Sequence, residues 1–294
     1  MAVLSKKLYP FASHDLELPG GLKYHYLNEG QGEPLVMLHG NPTWSFYYRH
    51  LITAFRDRYR VIVPDHIGMG LSDKPQHYPY RLAQHIANLE LLIEHLHLKR
   101  ITLVMHDWGG MIGMGYAVRH PQTVSRFVVF NTTAFVDPSV LPFRLRLCRI
   151  PLISEVLIRR FNLFARIALR TACSHQERLT PDVKAGYLAP YDSYANRIAT
   201  ARFVEDIPMP ATHPTYPVLH AIDQQLEQFQ RHPMLIVWGM QDPVFSPAFL
   251  RAWERRFPHA QVKRVEDAGH YVVEDASERI ISWMHEFLAS HPEG

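Results

Sequence analysis

Short runs with apolar residues at Leu35–Leu38, Arg60–Val63, Ile101–Met105, Phe127–Phe130, Met234–Trp238 and Gln261–Val265 are bounded by turn residues and read as strands. Between them, Leu82–Leu98 and Met111–His120 repeat apolar residues at spacings of three and four, the period of a helix with one buried face. Buried strands alternating with helices predict a mostly parallel, doubly wound sheet covered on both faces. The alternation stops between about Asp137 and His220, where helical segments are separated by Pro181, Pro190, Pro208, Pro210, Pro214 and Pro217, and then resumes. This predicts an α/β core formed by residues 1–136 and 221–294, with a helical cap, residues 137–220, inserted in it.

The 294 residues, 47% hydrophobic and 20% charged, are enough for a full-sized core, which excludes intrinsic disorder. Two cysteines, Cys148 and Cys173, make no disulfide framework and lack metal-ligand spacing. The first ten residues run into polar sequence without an apolar core, so no secretory signal is expected. No run of about 18 apolar residues reads as membrane-spanning. These features predict a cytoplasmic protein.

The chain carries 31 Lys and Arg against 28 Asp and Glu, a net charge of +3. The positive excess is local. Between Arg144 and Arg170 there are seven Arg and one acid, Glu155. From Ile153 to Ala168 apolar residues recur at helical spacing, while Arg159, Arg160, Arg166 and Arg170 fall largely on other faces. An amphipathic basic helix can lie on an anionic membrane or on an acidic partner. The plainer reading is a solvated cap helix whose apolar face covers the active site. With no interleaved aromatic platform or recognised motif in the segment, nucleic acid is not an expected partner.

Ile101–Met105, the residues His106-Asp107-Trp108-Gly109-Gly110 and the helical pattern from Met111 give strand, tight turn and helix in succession. That is the context of a nucleophile elbow, which presents one side chain at the carboxyl end of a sheet. Gly109 and Gly110 suit its close strand–helix approach, whereas Met105 stands where the usual signature has glycine. The nucleophile position holds Asp107. A carboxylate is anionic at neutral pH and attacks an electrophilic carbon without a base, forming an ester on its own side chain. Displacement at a saturated or strained carbon therefore suits it better than amide hydrolysis.

Asp242 follows the strand at Met234–Trp238, and His270 follows the strand at Gln261–Val265. The order nucleophile, acid, His predicts that Asp242 orients His270 and stabilises its charged form, with His270 as base. His39-Gly40-Asn41-Pro42 follows Leu35–Leu38, where this architecture builds part of an oxyanion site. The Asn41 amide and the Trp108 indole N–H are neutral donors that would stabilise a departing anion.

The motifs His39-Gly40-Asn41-Pro42, His106-Asp107-Trp108-Gly109-Gly110, Trp238-Gly239-Met240-Gln241-Asp242 and Gly269-His270-Tyr271 resemble the haloalkane dehalogenase branch of the α/β-hydrolase superfamily, over essentially the whole chain. The resemblance implies Asp107 as nucleophile, Asn41 and Trp108 as anion-binding residues, an Asp242–His270 pair, and no metal or cofactor. Longer strings, Val63–Pro75, Met111–Gly113 and Ala189–Pro208, look like the β-lactone decarboxylases of bacterial long-chain olefin biosynthesis. Those enzymes convert a cis-3,4-dialkyl oxetan-2-one to a cis-alkene and CO2, and this is the preferred expectation, with haloalkane hydrolysis as the alternative. Tyr187, Tyr191, Tyr194 and Tyr216 would be the cap donors for a third chemistry, epoxide hydrolysis. A noncatalytic binding protein on the same fold is the reading from a different class, disfavoured by the presence of Asp107, Asp242 and His270 together. Waxy lactones pass more readily from a neighbouring enzyme or membrane than through water, so the Arg-rich segment 144–170 is the expected contact with other olefin-biosynthesis enzymes or with a membrane surface.

Overall fold

Strands β1 (Ser13–Leu18), β2 (Leu22–Glu29), β3 (Glu33–Leu38), β4 (Tyr59–Pro64), β5 (Ile101–Asp107), β6 (Val124–Thr132), β7 (Met234–Gly239) and β8 (Gln261–Val265) form one sheet. Its order is β1-β2-β4-β3-β5-β6-β7-β8. From β4 to β8 every neighbouring pair is parallel, while β2 runs antiparallel to both β1 and β4. The computed structural model describes residues 6–136 and 150–292.

Alternate residues of the central strands enter separate apolar clusters. Val36, Leu38, Leu103, Met105, Phe127 and Val129 face one side, where α2 (Leu82–His95) and α3 (Trp108–Arg119) pack. Leu35, Met37, Val104, Val128 and Phe130 face the other, beneath α1 (Arg49–Phe55) and the helix Ser277–Ser290. Each fully buried aliphatic or aromatic side chain stabilises the fold by about 1.5–3 kcal/mol, so both faces are needed.

The six strands expected from the apolar pattern are present, and β1 and β2 add to them. Both escape the pattern because of polar residues. The first three residues of β1 and Glu17 are exposed on a sheet edge, and β2 buries His25, paired with Asp65 at 2.8 Å.

Between residues 150 and 220 the described residues contain helices and no strand. The helix Pro151–Ser154 runs into a wider-wound turn, Glu155–Arg160, followed by the helices Leu163–Thr171, Pro181–Leu188 and Ile198–Glu205. The expected start of the insertion at residue 137 lies outside the described residues, as do Arg144, Arg146, Cys148 and Arg149. The expected end at 220 cuts the helix Tyr216–Asp223. Its Leu219 and Ile222 are buried in the cluster that holds α2 and α3, so this helix packs as part of the core.

The cap is hydrogen-bonded to the core at the start of α2. Arg81 precedes that helix and offers no capping side chain. The cap residue Asp206 takes its place, accepting the Leu82 N–H at 2.9 Å and pairing with Arg81 at 2.7 Å.

Candidate active site

Asp107 ends β5 and precedes α3 with φ 51° and ψ −121°. An L-residue held in that region costs of order 1–3 kcal/mol, and the surroundings must enforce it. Gly40 and Gly113 show how tightly they do. A Cβ on Gly40 would lie 2.1 Å from Asp107 Oδ1, and one on Gly113 would lie 2.5 Å from Met105 Sδ. Gly113, one turn into α3, thus makes room for the Met105 side chain where the usual elbow has glycine on the strand. Thr132 of β6 donates its hydroxyl to the Asp107 carbonyl and fixes the turn from the other side.

The backbone N–H of Asn41 donates to Asp107 Oδ1 at 2.7 Å, and the N–H of Trp108 also serves this carboxylate. Burial raises the Asp107 pKa, and the charge of His270 with these two donors offsets only part of the rise. Asp107 is therefore a poorly solvated carboxylate held by two amides, with no ion pair to Lys or Arg among the described residues.

His270 Nε2 lies 3.7 Å from Asp107 Oδ2, and His270 Nδ1 bonds Asp242 Oδ2 at 2.8 Å. The loop after β7 aims Asp242 by donating the N–H groups of Val244 (2.6 Å) and Phe245 (3.0 Å) to Oδ1. Burial opposes charge on His270, but Asp242 and then Asp107 outweigh it, so its pKa is raised. Gly239 and Gly269 bring the two loops together. A Cβ on Gly239 would lie 2.1 Å from the Gly269 carbonyl, and one on Gly269 would lie 2.6 Å from the Ala172 carbonyl of the cap.

Three further side chains support this arrangement and went unread in the sequence. Asn131 of β6 donates to Asp242 Oδ2 at 2.9 Å and bonds the Gly239 backbone through both ends of its amide. The available signal was a polar residue directly after the apolar run Phe127–Phe130. His106 Nε2 meets the His270 carbonyl at 2.9 Å, while burial first and His270 second hold its pKa well below the ordinary value, so the neutral ring donates. Glu274, just past His270, is buried and pairs with Arg49 of α1 and the Tyr187 hydroxyl of the cap.

Asp107, Asn41, Trp108 and His270 line one cavity of about 600 Å³ between sheet and cap, and most of its remaining wall is apolar, with Phe135, Phe164, Phe245 and Phe249 on it. Asp242 lies behind His270. Trp108 packs edge-on to Phe203 of the cap, with ring centres 5.0 Å apart. One hydrogen of the Asn41 amide goes to the Thr200 carbonyl at 3.1 Å, which leaves the other for an anion. The four tyrosines expected as cap donors do not serve the site. None lines the cavity, and the hydroxyls of Tyr187, Tyr191 and Tyr194 bond Glu274, the Thr43 carbonyl and Glu155. Three of the four donors that epoxide opening would use are therefore committed elsewhere, and the fourth, Tyr216, does not line the cavity.

A sequence profile described as the alpha/beta hydrolase fold matches residues 33–277. The chain is 49% identical over 286 residues to the cis-3-alkyl-4-alkyloxetan-2-one decarboxylase of Shewanella oneidensis, covering 96% of this chain and 89% of that protein. It is 32% identical over 278 residues to haloalkane dehalogenase 2 of Mycobacterium bovis, covering 93% and 94%. The crystal structure of the haloalkane dehalogenase DatA from Agrobacterium tumefaciens superposes with a TM-score of 0.85 at 24% identity, covering 96% of this chain and 97% of that one, a likeness of fold. The chain belongs to the α/β-hydrolase fold family, on its haloalkane dehalogenase-like branch.

Proposed function

We propose that this protein converts cis-3-alkyl-4-alkyl oxetan-2-ones to cis-alkenes and CO2, with Asp107 as nucleophile. The observation that carries the reading is 49% identity, over nearly the whole chain, to a decarboxylase of that name. The site supplies a chemistry that fits. Asp107 attacks the ring carbon bearing the ring oxygen, with inversion, and the strained C–O bond breaks. The ring oxygen leaves as part of a carboxylate that stays on the neighbouring carbon, within reach of the Asn41 amide and the Trp108 indole N–H. The bond from that carbon to the carboxylate then breaks, its electron pair forms the alkene, and Asp107 departs anti as a free carboxylate. Inversion followed by anti elimination turns a cis-lactone into a cis-alkene. No proton is consumed and no water enters, which suits a largely apolar cavity. There the carboxylate loses the hydration that would resist its conversion to neutral CO2. His270 in its charged form, held by Asp242, balances the negative charge that moves between Asp107 and the released carboxylate.

Single turnover in H2(18)O tests the route. Asp107 should acquire no heavy oxygen. Enrichment of Asp107 would show that water attacks an ester on it, and this mechanism would fall. Haloalkane hydrolysis is the second reading, favoured by 32% identity to a dehalogenase over 93% of the chain. It predicts bromide release from a long-chain bromoalkane and heavy oxygen in Asp107 after the first turnover, reaching the alcohol only in later ones, with no alkene formed from a synthetic β-lactone.

A further inference from the structure

The Arg-rich segment divides into two parts. Arg159 is buried and fully engaged. It pairs with Glu155 at 3.0 Å, donates to Gln76 at 2.6 Å and stacks over the Tyr194 ring at 4.0 Å. It ties the cap together and is removed from the expected contact surface. Glu155, the segment's acid, is also occupied, by Arg159, Arg202 and Tyr194. Arg160, Arg166 and Arg170 differ. All three are exposed, and they form no ion pair among the described residues.

The same stretch exposes large apolar side chains. Leu152 is 76% and Phe161 58% exposed, joined by Ile150, Val156, Leu163 and Ile167. On the helix Leu163–Thr171 the exposed positions are Leu163, Arg166, Ile167, Arg170 and Thr171, so apolar and basic side chains share its outer face. Exposed apolar clusters of this kind mark interaction surfaces. Leu163 and Ile167 also line the cavity, so the patch is continuous with the route to Asp107.

We propose that this surface docks on an anionic phospholipid bilayer and that apolar substrate enters the cavity from the bilayer, past Leu163 and Ile167. A bilayer is the occupant that matches all three features. Its headgroups pair with arginines that have no acidic partner among the described residues, its acyl region accepts Leu152 and Phe161, and it delivers an apolar ligand to an opening that a protein partner would cover. The choice of substrate class rests on the function proposed above, but docking does not, so vesicle binding measured without turnover separates the two.

Cosedimentation with vesicles of phosphatidylglycerol mixed with phosphatidylcholine, against phosphatidylcholine alone, is the test. The protein should prefer the anionic vesicles and be released near 1 M salt, where the screening length falls to about 3 Å. Reversing Arg160, Arg166 and Arg170 to Glu should weaken binding on the order of a hundredfold, since each arginine near such a surface contributes about a fivefold effect. Phe161→Ser should weaken it as well. Both variants should turn over a short, water-soluble β-lactone as the parent does, which shows the fold and site intact. Equal binding to neutral vesicles, or unchanged binding by the charge-reversed variant, overturns the proposal. So does a dimer lost in Phe161→Ser without vesicle binding, which would assign the patch to a second copy of the chain.

Discussion

Asp107 combines two costs in one residue, a positive φ and a carboxylate whose pKa burial raises. For an acid with a raised folded pKa, the folded state favours the protonated form. The penalty is therefore absent below the unfolded value near 4 and complete once the pH has passed the folded value. Asp107→Asn removes the charge while keeping shape and an acceptor for the Asn41 N–H. This variant should lose alkene formation by a factor on the order of 10⁴ or more, as removal of a nucleophile does. It should also unfold at a higher temperature than the parent at pH 7, with the difference shrinking towards pH 4. Melting curves at the two pH values check this, and a lower midpoint for the variant at pH 7 would refute it. The place of Asp107 at a strained strand-to-helix turn was legible because strand, turn and paired glycines enclose it. The accommodation of Met105 was not, since the glycine that accepts it is Gly113, on the following helix rather than on the strand.

At the level of elements, the loop carrying His270 is clamped to cap and core by the two acids that follow it. Asp275 accepts the N–H groups of Gly269 (2.7 Å), Ser174 (3.0 Å) and His175 (2.8 Å), and the Tyr271 N–H bonds the Ala172 carbonyl at 2.7 Å. Glu274 joins α1 and the cap helix Pro181–Leu188 through Arg49 and Tyr187. Burial lowers the Arg49 pKa, but Glu274 outweighs it and the net shift is upward. Removing one partner of a buried pair strands the other charge, so Glu274→Ala should cost about 3–5 kcal/mol. Urea unfolding measures it, and a loss below about 1 kcal/mol, the scale of an exposed pair, would contradict the clamp. Glu274→Gln retains an acceptor for the Tyr187 hydroxyl and should fall between. Sequence reading located the loops that carry Asn41, Asp107, Asp242 and His270 because each follows a strand that the sequence pattern reveals. It missed this clamp because Arg49 and Glu274 are 225 positions apart, and nothing in either neighbourhood names the other. It missed β1 and β2 for a related reason, since the partner that makes His25 tolerable in a strand is Asp65, well downstream.

Across the whole molecule, Asp65 and Asp107 are two buried carboxylates with opposite energetic signs. Asp65 sits after β4 where three stretches of the core meet. It accepts the Ser45 N–H at 2.7 Å from the loop after β3, His25 Nδ1 at 2.8 Å from β2, and the Leu71 N–H at 2.9 Å. Burial alone would raise its pKa, but His25, His39 and the Leu71 donor outweigh it and the net shift is downward. A depressed folded pKa contributes stability that is present above the unfolded value near 4 and is lost as pH falls through the folded one. Asp107 works the other way, so ionising Asp107 costs the fold stability at neutral pH while an ionised Asp65 contributes it. Asp65→Asn should therefore destabilise the protein at pH 7, by about 2–3 kcal/mol if it forfeits one charge-assisted hydrogen bond. The deficit should shrink under acid as the parent's Asp65 protonates, whereas the Asp107→Asn gain shrinks over a higher pH range. Urea unfolding of the parent and both variants from pH 7 down to the acid transition measures the two curves. Equal and pH-independent offsets for the two variants would mean that neither carboxylate's charge sets stability, and the assignment of opposite signs would fail.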